Sequence, residues 1–304
     1  YAQAGTPELT VTADYDAGKQ QLVLSVEQSC PATRETKEKL PFTMPLAVGL
    51  LDDNGQTIPL SDSPNPTTKV LVLSEAKQQF VFDQITSKPT VSFLRNFSAP
   101  VKVRFEQSEE ELSRMMAADP DPFNRWEAGQ KLGLRFLLQQ IEGYQQGREI
   151  SVDERLIHGL RNLLLDRDSD QAFLAMAMAL PSENWIGQQM AVLDPVAVYQ
   201  VRQQFRALIA RTLRSDLVQC YDRLHSTEPY RYSAHEAGRR SLRNICLSYL
   251  LAPTLADELE PCLLQRGISQ YRQADNMTDA IAALGALVNA DLTTGAELLA
   301  DFHA

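Results

Sequence analysis

The sequence is short of the side chains that carry most enzyme chemistry. Only four histidines occur in 304 residues, His158, His225, His235 and His303, and only four cysteines, Cys30, Cys220, Cys246 and Cys262. No two cysteines form a C-x-x-C pair, so no thiol redox motif or zinc ribbon is spelled out. Scattered cysteines in a chain of this length point to free, mostly buried thiols in a reducing compartment, the cytoplasm; one or two disulfides are the alternative. A G-x-S-x-G elbow, a P-loop and a G-x-G-x-x-G turn are all missing. No apolar run approaches the roughly 20 residues of a membrane span. The longest, Ala172 to Leu180, reads as a buried helix. No basic segment with an apolar core follows Tyr1, so no signal peptide is read there. Positive charge is in deficit as well. Lys and Arg number 29 against 39 Asp and Glu, a formal net charge of −10. That balance disfavours nucleic acid and anionic membranes as partners.

What is present divides near residue 107. Before it the pattern is that of strands: Leu9–Ala13, Leu22–Val26, Phe42–Leu51, Val70–Leu73, Gln79–Phe82, Val91–Phe97 and Val101–Phe105. Turn signals separate them at Asp16-Ala17-Gly18, Asp53-Asn54-Gly55 and the proline-rich Ser61–Pro66. Short strands at this spacing predict an antiparallel sandwich over residues 1–106. From 107 to 304 the period is helical. Capping boxes are read at Ser108 with Glu111, Ser151 with Glu154 and Ser233 with Glu236. Asp194-Pro195 is a further start, with proline at the first helical position. Apolar stripes follow at Val198, Val201, Phe205, Leu208 and Leu213, at Leu242, Ile245, Cys246, Tyr249 and Leu250, and at Met277, Ile281, Leu284, Leu287 and Val288. About ten helices on short loops predict stacked antiparallel pairs, a solenoid-like array. The fold class is therefore α+β with two domains. The hinge is placed at Phe105–Ser108, and Asp119-Pro120-Asp121-Pro122 forms a loop between the first two helices.

The one tempting site is His235-Glu236-Ala237-Gly238-Arg239. A zinc protease helix needs H-E-x-x-H, because imidazoles at i and i+4 share a face and grip one ion. Here Arg239 stands where the second ligand would be, and its fixed charge opposes a cation. Glu236 is read instead as the cap partner of Ser233. His158 is read as a half-buried helix residue, His225 and His303 as surface groups near helix ends. Cys220 and Cys246 lie on apolar helical faces, where thiols are usually inert packing. A helical enzyme built on Cys220 or His235 is a remote third reading. Arg211, Arg214, Arg239, Arg240 and Arg243 form a local basic cluster, either solvated and paired with neighbouring acids or a docking face for a domain or an anionic peptide end. Asn96-Phe97-Ser98 and Asn276-Met277-Thr278 match the glycosylation triplet, but Asn276 reads first as a helix cap.

Particular residues go beyond this outline. They are Gln3 to Pro7, Gln28 to Pro31, Lys39-Leu40-Pro41, Met44-Pro45-Leu46, Phe80-Val81-Phe82 with Lys88-Pro89, and Arg95-Asn96-Phe97-Ser98-Ala99-Pro100-Val101. Beyond the hinge come Asp121-Pro122-Phe123-Asn124-Arg125-Trp126-Glu127-Ala128-Gly129-Gln130, Leu242-Arg243-Asn244 and Asn276 to Ala280. In order and spacing the sequence resembles the C-terminal half of the bacterial aminopeptidase N family, zinc metallopeptidases of the thermolysin-like type. The resemblance implies an immunoglobulin-like or fibronectin-like sandwich followed by part of a helical superhelix, with more chain on both sides. It implies that a preceding catalytic domain carries H-E-x-x-H, a downstream glutamate, the zinc ion and a G-A-M-E-N loop. None of those motifs is in this chain, so no catalytic or metal residue is assigned to it and no cofactor of its own. Residues that bind substrate are not identified. The implied role is to cap the active-site cleft and admit short peptides, with the catalytic domain of the same chain and peptides as partners. The rival class is a free-standing helical scaffold that binds a protein.

Overall fold

The computed structural model describes residues 3–34, 36–60, 67–252, 260–290 and 293–303. The turn read at Ser61–Pro66 lies outside them. The described residues form two compact units, Tyr1–Ala128 and Gly129–Ala304. The change from strand to helix falls earlier, between Phe105 and Glu109.

In the first unit, β1 (Glu8–Asp16), β2 (Gln21–Ser29), β6 (Lys77–Phe82) and β8 (Lys102–Phe105) make one sheet in the order β6-β2-β1-β8. The second sheet centres on β3 (Met44–Leu51), which pairs with β4 (Thr57–Ile58), β5 (Lys69–Leu73) and β7 (Thr90–Phe93). All pairs are antiparallel except one: β8 runs parallel to β1, Glu8 opposite Lys102 and Val11 opposite Phe105. Alternation does the sorting. In β2, Leu22, Leu24 and Val26 are buried, and they meet Leu46, Val48 and Leu50 of β3 in one core. Side chains of period two from both sheets thus close a single apolar layer. The two-residue β4 carries too little pattern to be read from sequence.

The run Val91–Phe97 is not one strand. It breaks after Phe93 into a tight turn, with Leu94, Asn96 and Phe97 at φ of 59°, 55° and 50°. Left-handed backbone at three non-glycine residues is costly and persists only where its surroundings hold it. Two helices complete this unit, α1 (Glu109–Ala118) and the start of α2 (Pro122–Gln145). Ser108 and Glu111 form the complete capping box of α1. Leu112, Met115 and Met116 are its buried face, and the helix packs on β7.

The second unit is helical throughout: α3 (Glu154–Leu165), α4 (Gln171–Ala177), α5 (Glu183–Gln188), α6 (Pro195–Thr212), α7 (Arg214–Arg223), α8 (Ala234–Leu250), α9 (Pro261–Gln273), α10 (Met277–Asn289) and α11 (Thr293–His303), after the remainder of α2. Neighbours in sequence such as α9 and α10, or α10 and α11, pack together across short connections and so run antiparallel. α8 is the hub, packed on α4, α7 and α10. At its contact with α4, a Cβ on Gly238 would meet the Ala172 nitrogen at 2.8 Å, so only glycine lets the backbones come this close. Tyr249 of α8 is fully buried, and its hydroxyl donates to the Met178 carbonyl at 2.7 Å.

Several helix signals resolve differently from their first reading. Asp153, not Ser151, caps α3: its carboxylate accepts from the Arg155 N–H at 2.8 Å. An aspartate closer to the helix satisfies the free donors better than a serine two residues upstream. Ser233 does cap α8, but Glu236 does not reach back to it; the carboxylate turns along the helix to Arg239 at 2.9 Å. His158 is exposed rather than half-buried, beside Asn162. On α10 the stripe splits: Leu284 and Leu287 are buried, while Met277, Ile281 and Val288 face outward. Met176 of α4, inside the run read as buried, is likewise 61% exposed.

Candidate functional site

The most specific motifs of the sequence assemble into two polar networks, one in each unit. In the first, Arg95 leaves the strained turn and is almost fully buried, with 3% of its side chain exposed. Its Nε donates to Ser92 Oγ at 2.8 Å, one terminal nitrogen to the Thr67 carbonyl at 2.7 Å, and the other to Asp119 Oδ1 at 3.4 Å. The guanidinium lies over β3, where a Cβ on Gly49 would occupy the same space. Burial opposes both charges: it pulls the Arg95 guanidinium down and pushes the Asp119 carboxyl up, against the attraction between them. Asp121 Oδ2 accepts from the Asn96 N–H at 2.7 Å and so holds the left-handed residue. Its Oδ1 caps the Asn124 N–H. Asn124 in turn donates to Ser92 Oγ and the Phe93 carbonyl. Ser98 Oγ accepts from the Ala47 N–H at 2.9 Å. R-N-F-S and D-P-D-P-F-N are thus two halves of one clasp. Arg95, Asp119 and Asp121 each bind structural partners, which gives the clasp an architectural task.

The second network belongs to the helical unit. Arg243 lies 4.3 Å over the Tyr221 ring and donates to its hydroxyl at 2.9 Å. That hydroxyl donates to Gln270 Oε1; burial pushes the phenol up to about 12, so it stays protonated. Gln270 donates to Asn244, and Asn244 to Asp279 Oδ1 at 3.0 Å. Asn276 caps α10 by accepting from the Asp279 N–H. The letters R-N on α8 and N-M-T-D on α10 therefore lock α7, α8, α9 and α10 together. Neither Tyr221 nor Gln270 has a neighbouring motif, and only the fold reveals them.

Against this network opens a recess of about 470 Å³, bordered by His225, Tyr230, Glu236, Arg239, Arg240 and Asp275 among others. It collects three of the five arginines read as a basic cluster; Arg214 instead pairs with Glu260 at 3.0 Å. Arg239 binds Glu236 and the Leu224 carbonyl. Arg240 lies 4.9 Å over the Tyr230 ring. The Arg239 guanidinium beside Glu236 holds that carboxyl below the usual range. The recess is a place for a polar or charged group. It contains no hydrogen-bonded pair of nucleophile and base.

His235 is exposed and, among the described residues, reaches Glu236 at 3.5 Å. His225 and His303 are exposed at or just beyond the ends of α7 and α11. Among the described residues no three His, Cys, Asp or Glu side chains come together as ligands for a metal ion. Nor is any helix among them long and apolar enough to cross a membrane. None of the four cysteines is in a disulfide; Cys220 and Cys246 are buried, but Cys30 is half-buried and Cys262 exposed.

Comparison with known proteins places the chain in a wider group. Residues 109–304 match a family described as a domain of unknown function (DUF3458_C) with ARM repeats. Residues 5–106 match one described as a domain of unknown function (DUF3458) with an Ig-like fold. Aminopeptidase N of Escherichia coli (strain K12) is 34% identical over 304 residues, covering 99% of this chain and 34% of the relative. Aminopeptidase N of Haemophilus influenzae is 31% identical over 303 residues, covering 100% and 34%. A crystal structure of Legionella pneumophila aminopeptidase A in complex with aspartic acid matches with a TM-score of 0.75 at 25% identity, over 99% of this chain and 34% of that one. The chain spans about a third of the length of the curated relatives it matches.

Proposed function

The chain belongs to the DUF3458_C family of helical ARM-repeat domains, and on that premise we propose that it is the non-catalytic part of a zinc-dependent aminopeptidase. The whole protein would remove N-terminal residues from peptides in the cytoplasm. The catalytic domain of the same protein would hold the zinc ion and do the chemistry. The helical unit would cap the cleft and restrict entry to short peptides, and the sandwich would set its position. One observation carries this reading: similarity to aminopeptidase N along 99% of the chain but only 34% of the relative. The two internal networks support it. They spend their charges on holding strands and helices in place, as a rigid cover requires.

The test has two arms. The chain alone is assayed on an aminoacyl-4-nitroanilide and its zinc content measured by plasma mass spectrometry. No turnover and no stoichiometric zinc are the expected results; turnover lost on mutating one of its own side chains overturns the reading. The longer protein is then compared with a version lacking residues 109–304. Removal is expected to erase the preference for short over long peptides, and an unchanged preference sinks the capping role.

A further inference from the structure

The recess beside the helical network lies wholly within one unit, between the ends of α7 and α9 and the starts of α8 and α10. Arg240 lines it, although only 4% of that residue is exposed. A charge held so far from water needs hydrogen-bond partners, because leaving them unmade is costly. Arg240 is short of them. Its Nε is buried and has no hydrogen-bond partner among the described residues. Glu236 Oε2 stands 3.8 Å from a terminal nitrogen, beyond hydrogen-bond reach. The Tyr230 ring, at 4.9 Å, attracts the cation through its face but offers no acceptor in the guanidinium plane. Arg243, in the same lining, also has an Nε that is buried without a partner.

The other charges of the recess are held elsewhere. Arg239 binds Glu236 at 2.9 Å and the Leu224 carbonyl at 2.6 Å. Asp279 accepts from Asn244 with one oxygen and from Asn276 with the other. Asp275 Oδ2 accepts from the Tyr230 N–H at 2.7 Å, and its Oδ1 from Asn276. Those bonds from Asn276 and Tyr230 hold the Asp275 carboxyl below the usual range, so it stays charged. Glu228 is exposed at the border. Among the described residues, none of these carboxylates closes the fork of Arg240.

From this imbalance we propose that the recess binds a ligand through a single carboxylate seated on Arg240. A guanidinium fork matches a carboxylate or a phosphate. The acids around it decide between them. Glu228, Glu236, Asp275 and Asp279 oppose a doubly charged phosphate more strongly than a singly charged carboxylate. The volume, about 470 Å³, is that of a small-molecule site and leaves room for the residue that carries the carboxylate. Ser226, Thr227 and Gln273 border the remaining space with hydroxyl and amide groups. A free amino acid and the last residue of a peptide share this chemistry. The inference stands apart from the aminopeptidase reading, since it needs only the helical unit.

Isothermal titration of the chain compares N-acetyl-alanyl-alanine, its C-terminal amide, free alanine and inorganic phosphate. The acid is expected to bind saturably and the amide about tenfold more weakly or worse, the loss of one charge-assisted contact. Arg240→Gln is expected to weaken the acid by a similar factor and to leave the amide unchanged. Glu236→Gln removes a competing carboxylate and is expected to tighten the acid, an effect that a purely structural role for Arg240 does not produce. Hydrogen exchange at residues 226–230 is expected to slow when the acid binds. Binding of the acetylated dipeptide assigns the site to a peptide end, and binding of alanine alone assigns it to a free amino acid; both support a carboxylate site. Equal binding of acid and amide, tighter binding of phosphate, protection confined to another part of the chain, or no saturable binding of either carboxylate overturns the proposal. Circular dichroism reports whether the Arg240→Gln protein folds. If it does not, the acid–amide comparison on the unchanged chain and the Glu236→Gln titration decide.

Discussion

Arg95 shows how one side chain can organise a unit. Its guanidinium donates to Ser92, Thr67, Thr68 and Asp119 in a space that Gly49 leaves open. Truncating it strands the Asp119 carboxylate, whose Oδ2 has no hydrogen-bond partner among the described residues. Removing one member of a buried ion pair costs about 3–5 kcal/mol. Arg95→Ala is therefore expected to lower the unfolding free energy of the sandwich, measured by urea titration, by that much. Arg95→Lys should rescue little, because an ammonium cannot imitate the fork. Gly49→Ala tests the same contact from the other side. A methyl group there displaces the guanidinium, and its cost should nearly vanish in an Arg95→Ala background. The two losses are expected to be strongly non-additive in a double-mutant cycle.

At the scale of the element, helix starts give a matched pair of tests. Ser108→Ala breaks a complete capping box and is expected to cost about 1 kcal/mol. Ser151→Ala should be close to neutral and Asp153→Ala should cost about 1 kcal/mol, because Asp153 accepts from the α3 donor. Equal effects at Ser151 and Asp153 in thermal melts would refute that assignment. The same pair shows what sequence can and cannot reveal. Ser151-x-x-Glu154 and Asp153 are both good caps by residue type, and only the path of the backbone chooses. Most strands and the Asp194-Pro195 start were legible because alternation and proline position act locally. The break after Phe93 was not, since an apolar run hides a left-handed turn held by Asp121 from 25 residues away. The outward face of α10 was missed for a related reason. Periodicity says which residues share a side, not whether a neighbour covers it. As for the site, the letters R-N-F-S and N-M-T-D were visible as motifs, while their partners Ser92, Tyr221 and Gln270 became apparent only through contact.

For the whole molecule, the two networks imply a division of stability. Each lies within its own compact unit. A mutation in the helical network should therefore loosen one unit and spare the other. Asn244→Ala removes both the Gln270 and the Asp279 contacts. It is expected to increase amide hydrogen exchange along α8, α9 and α10 while leaving β1 and β2 protected. Uniform loss of protection would show that the units unfold as one.

The parallel pairing of β1 with β8 sets a timetable for synthesis. The first strand of the sandwich waits for the last one, Glu8 for Lys102, before the outer peptide groups of Glu8–Val11 are covered. Until Phe105 has left the ribosome that row stays open to any other nascent strand. A chaperone that shields it would have to stay bound for nearly the whole translation of the sandwich, and stalling the ribosome within β7 should leave a polypeptide that clumps rather than folds.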